Sequence, residues 1–76
     1  MKNIDFPCSG ILVNKDSGAI RLLKNPADYS MGLGVVPDKT LCIVLDRLTV
    51  NNELWYLVDL YGTYAYVPKG QLKLRK

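Results

Sequence analysis

The chain contains no histidine. That removes the commonest general base and metal ligand at neutral pH, and with it the usual activator of a cysteine nucleophile. Only two cysteines are present, Cys8 and Cys42, both among apolar neighbours and outside any Cys-x-x-Cys pair. They read as small buried hydrophobes. A Cys8–Cys42 disulfide would need an oxidising compartment, and the sequence shows no sign of export, since Asp5 and Pro7 follow Met1-Lys2 before any sustained apolar run. Long hydrophobic stretches are missing as well. Leu41–Leu45 is typical, and such runs of about five residues fall far short of the roughly 20 a membrane helix needs. A soluble cytoplasmic protein with no membrane partner is expected.

Acidic clusters are equally scarce. Asp28, Asp38, Asp46, Glu53 and Asp59 are scattered through turns and strand ends. They form neither a carboxylate pair for acid–base work nor an oxygen cage for a cation. Gly32-Leu33-Gly34 is not followed by the Lys-Ser/Thr and helix of a phosphate loop. No catalytic residue, metal or cofactor is expected.

What is present describes one small folded unit spanning residues 1–76. Hydrophobic residues make up 49% and charged residues 22%, a globular rather than a disordered balance. The net charge is +3, and the basic residues stand clear of acids only near the end, at Lys69, Lys73, Arg75 and Lys76. A solubilising tail (75–76) is the simpler reading, and a weak pull on polyanions the alternative. Residues 1–5 are expected to fray.

No window holds helical periodicity beyond a turn or so. Apolar segments at Phe6–Val13, Ala19–Leu23, Met31–Val36, Leu41–Asp46, Leu54–Leu60, Tyr64–Val67 and Gln71–Leu74 are separated by turn-forming residues. Among those turns are Asn14–Gly18, Pro37–Thr40, an Arg47–Glu53 loop turning at Asn51-Asn52, and a tight turn near Tyr61-Gly62. Lys24–Ser30 reads as a loop. The glycines at Gly32 and Gly34 mark a bend or a close backbone approach. The spacing predicts an all-β fold of five or six strands, closed into a small barrel because closure removes exposed edges. In Leu54–Leu60, Leu54, Tyr56, Val58 and Leu60 share one face. Trp55, Leu57 and Asp59 share the other, and because Asp59 is unlikely to be buried unpaired, Trp55 is expected near solvent.

The segment VVPDKTLCIVL, a polar loop and LWYLVDLYGTYAYVPKGQL resemble the second half of an SH3-like barrel, most of all the bacterial SH3 type. AIRLLKNPADYS resembles the strand and long loop that open such barrels. The resemblance runs from about Ala19 onward and implies a short 3-10 turn near residues 68–71. Ala65 stands where the family usually has glycine, only Ala27-Asp28-Tyr29 echoes the ALYDY-type segment of eukaryotic members, and Gln71 stands where a groove tyrosine is expected. Recognition of proline-rich peptides therefore does not carry over.

Tyrosine and tryptophan combine contact area with a polar tip and dominate binding hot spots. The expected ligand surface comprises Trp55, Tyr29, Tyr64, Tyr61, Asp28 and Asn52, with Trp55 flooring a groove between the Lys24–Ser30 and Arg47–Glu53 loops. Tyr56 and Tyr66 are read as core. The function expected is a non-catalytic intracellular module that recognises a protein or an extended peptide, such as a small adaptor or inhibitor of the kind phages and mobile elements encode. Two alternatives are a cell-wall (peptidoglycan) binding module of a larger enzyme and a small nucleic-acid-binding barrel that uses base stacking.

Overall fold

The computed structural model describes residues 6–26, 30 and 32–75. Among them the chain is all-β. Its strands are β1 (Cys8–Leu12), β2 (Ala19–Leu23), β3 (Gly32–Pro37), β4 (Thr40–Val50), β5 (Glu53–Leu60), β6 (Thr63–Pro68) and β7 (Leu72–Arg75), with a 3-10 turn at Lys69–Gln71. There are seven strands rather than the five or six expected, because the glycine-containing β3 and the short β7 both find pairing partners. All pairings are antiparallel, in the order β3-β2-β6-β5-β4-β1-β7. The hydrogen-bonded sheet does not close, and β3 and β7 are its two edges.

Two hairpins follow from turn chemistry. Asn51-Asn52 (φ 52° and 67°) joins β4 to β5, and Tyr61-Gly62 (φ 55° and 92°) joins β5 to β6. Positive φ at both central residues is what a two-residue turn needs to match the strand twist; Asn51, Asn52 and Gly62 adopt it at little cost, and Tyr61 does so against its steric preference. Asp59 Oδ1 accepts a hydrogen bond from Gly62 N at 2.8 Å and secures the second turn. The Asn14 side chain organises the β1–β2 connection: Nδ2 donates to Ser17 Oγ and Ala19 O, both at 2.8 Å, while Oδ1 accepts from Asp16 N at 3.2 Å.

The expected Arg47–Glu53 loop is instead mostly strand. β4 runs on to Val50, and only Asn51-Asn52 turns. Alternation of Leu48 and Val50 with Arg47 and Thr49 suits a half-buried ribbon, which the polar composition of the stretch disguises. Within β4 the register slips between Val44 and Asp46. Val44 opposes Val58 in the core, whereas Asp46 opposes Leu57. The extra residue reverses which face the even-numbered positions occupy, as a bulge does. The core gathers Leu12, Ile20, Leu22, Cys42, Val44, Tyr56, Val58, Leu60, Ala65, Val67 and Leu72 from six strands. Both cysteines are free, Cys42 within that core and Cys8 packed against it.

Candidate functional site

Trp55 is 1% exposed, so its expected position near solvent is corrected. Its neighbours in the ladder are Leu48 on β4 and Pro68 on β6. The bulge in β4 is what brings Leu48 to that face. Leu23, also buried, opposes Tyr66, which in turn opposes Leu57. One end of this face is therefore a second apolar layer outside the main core cluster, which includes neither Trp55 nor Leu23. Asp59 stands at the other end. Its half-exposure does not extend along the strand, because a twisted sheet can be covered at one end and open at the other.

The remaining expected site residues do not converge. Tyr61 is 98% exposed at the tip of the β5–β6 hairpin, and Tyr64, also exposed, lies directly opposite Asp59. Asn52 is exposed at the opposite end of β5, about 26 Å from Leu60 at a strand rise of about 3.3 Å per residue. Asp28 and Tyr29 lie outside the described residues. Tyr56 is buried in the core as expected, and Tyr66 is half-buried on the Trp55 face. The basic residues near the end are spread out: Lys69 is exposed on the 3-10 turn and Lys73 and Arg75 on β7, while Lys76 lies outside the described residues.

Two exposed apolar surfaces take the place of the expected groove. The first is the outer face of β7, β1, β4 and β5. Leu41 and Ile43 are exposed there. They border a shallow groove of about 370 Å³ that is also lined by Ser9, Asp59, Tyr61 and Arg75. The second is edge strand β3, which exposes Leu33 and Val35. Gly34 adopts φ +132°, where only glycine is comfortable. The signal for the first surface comes from the register. Ser9, Lys73 and Arg75 fall on the same face of adjoining strands, and their polarity marks that face as wet.

Burial, and after it the neighbouring Cys8 thiol, pushes Cys42 up to about 11, so at neutral pH it is a protonated thiol with little nucleophilic character. Among the described residues no group of three or more Cys, Asp or Glu side chains could hold a metal ion, and no helix is long and apolar enough to cross a membrane. Comparison with protein families, curated proteins and solved structures finds no match.

Proposed function

We propose that the chain is a non-catalytic protein-binding module of SH3-like design, taking an extended segment of a partner by strand addition along β3. The SH3-like reading is supported by three features. β4 pairs with β1 over Thr40–Val44 and with β5 over Ile43–Val50, its register shifting between Val44 and Asp46. A 3-10 turn separates β6 from β7, and β7 returns to pair with β1.

The observation that carries the binding reading is the contrast between the two edges. β7 bears Lys73 and Arg75, charged side chains of the kind that blunt an edge against pairing. β3 reads GLGVVP and bears no charge. Its Val35 is 66% exposed and Leu33 44%, the two standing on either side of Gly34 where the β2–β3 register shifts. An added strand would gain main-chain hydrogen bonds, with exposed Val35 meeting its side chains. At Gly34 nothing lies within 4 Å of where a β-carbon would sit, which leaves the backbone there open to close approach.

Selecting a random peptide library on the purified chain tests this. Bound peptides are expected to shift the amide resonances of Leu33–Val36 and to lose at least about tenfold in affinity against Val35→Lys, with Ile43→Lys unaffected. Peptides that shift β4 and β5 instead, or that bind Val35→Lys unchanged, would refute strand addition.

A further inference from the structure

The outer face at the β7 end of the sheet carries opposite charges on its two sides. Its register places Arg75, Ser9, Ile43 and Asp59 in one row across β7, β1, β4 and β5. The adjacent row crosses β7, β1 and β4 as Lys73, Ile11 and Leu41. Tyr61 continues it past the end of β5 and lines the same groove as Leu41. Directly opposed residues of an antiparallel sheet share a face. Cations therefore border one side, apolar side chains hold the middle, and an acid with a fully exposed tyrosine borders the other.

We propose that this face is a homodimer interface, with a second copy packed on it about a two-fold axis that runs parallel to the strands between β1 and β4. Such an axis turns the face over and exchanges its sides while keeping each row in place. Arg75 of each copy then meets Asp59 of the other, Lys73 meets the ring of Tyr61, and Ile11 meets Leu41, every contact being made twice. Small Ser9 lies over Ile43 and lets the sheets approach, in the aligned manner of face-packed sheets. An axis across the strands would stack cation on cation.

Within one chain the backbones of Arg75 and Asp59 are three inter-strand spacings apart, about 14 Å. The opposite charges are thus set to meet between copies rather than within one. Self-complementarity singles out the second copy, because the face already contains everything its own partner would need. The footprint, four strands wide and about five residues long, is small for a specific interface, so the dimer is of the weak, micromolar class. This surface is distinct from β3, at the other end of the strand order.

Sedimentation equilibrium of the full chain, from about 1 μM to about 1 mM, tests the proposal. The wild-type chain is expected to dimerise, and added salt to weaken the dimer. Arg75→Asp and Asp59→Arg are each expected to be monomeric, since each opposes like charges twice. An equimolar mixture of the two is expected to regain the dimer, because both cross-copy pairs become attractive again. Asp59 also holds Gly62 N. Should Asp59→Arg fail to fold by circular dichroism, Ile43→Lys decides: it is expected to raise the dissociation constant at least tenfold while Val35→Lys leaves it unchanged. A wild-type chain that stays monomeric to about 1 mM overturns the interface. So does a dimer that survives Ile43→Lys, or a mixture of two folded charge variants that stays monomeric.

Discussion

A β-carbon placed on Gly10 would lie 2.8 Å from Val44 Cγ2. Gly10 is the inward-facing centre of β1, where β4 and β7 close on it from both sides, and the same β-carbon would meet Leu72 Cδ1 at 3.0 Å and the Lys73 carbonyl at 3.4 Å. Val44 is fully buried and has nowhere to retreat. Gly10→Ala should therefore overpack the core and cost about 1–3 kcal/mol, read as a lower urea midpoint at unchanged slope. Unaltered stability would mean that the three strands pack less closely than this.

Trp55 serves as a structural residue. Its emission should be blue-shifted and weakly quenched by acrylamide in the native chain, shifting to the red on unfolding. Because it is the only tryptophan, the signal is unambiguous. Trp55→Ala should cost about 3–5 kcal/mol, enough to unfold much of a domain this small. Native fluorescence like that of free tryptophan would contradict its burial.

Asp38 ties the β3–β4 corner to the end of β1. Its Oδ1 accepts from Asn14 N at 2.7 Å, its own N donates to Gly18 O at 2.9 Å, and Lys39 N donates to Leu12 O at 2.7 Å. Asp38→Ala should leave the partly buried Asn14 N–H without its acceptor and lose about 1–3 kcal/mol. Faster amide exchange at Asn14 would locate the loss, and exchange equal to wild type would dismiss the bond.

Burial and the nearby Cys8 raise Cys42 from 9.0 to about 11. The folded chain keeps a proton that the unfolded chain surrenders above about pH 9, so stability is held below that pH and declines as pH rises toward 11. Urea unfolding across this window should show a shallower decline for Cys42→Ala than for wild type, and thiol reagents should modify Cys8 well before Cys42. Equal slopes would remove Cys42 as the source.

Strand positions were largely legible because turn chemistry is local. Asn51-Asn52, Tyr61-Gly62 and the Asn14–Gly18 segment punctuate the chain where they stand. Faces were harder to read. The β4 bulge adds one residue and thereby exchanges inside for outside, and no residue type announces it. Trp55 was placed in solvent by extending the exposure of Asp59 along a face that changes character in four residues. The composition of Leu41–Leu45, apolar on both sides, suits a doubly covered strand; what exposes Leu41 and Ile43 is the neighbourhood of Ser9, Lys73 and Arg75, which only the register supplies. Of the expected site residues, Tyr61 and Tyr64 lie at the Leu60 end of β5 and Asn52 at its Glu53 end, so nearness in sequence does not bring them together.

The position of β1 between β4 and β7 also bears on how the molecule is made. Gly10 pairs with Cys42 and Leu74, residues 32 and 64 positions further along the chain. Of these seven strands, β1 leaves a ribosome first and thus has no lateral neighbour here until β4 emerges, and its second flank stays bare until β7 has been synthesised. Closing such distant pairs is slow compared with closing hairpins. Assembly should wait for the last strand, with the two tight hairpins ready beforehand and β1 locking in at the end.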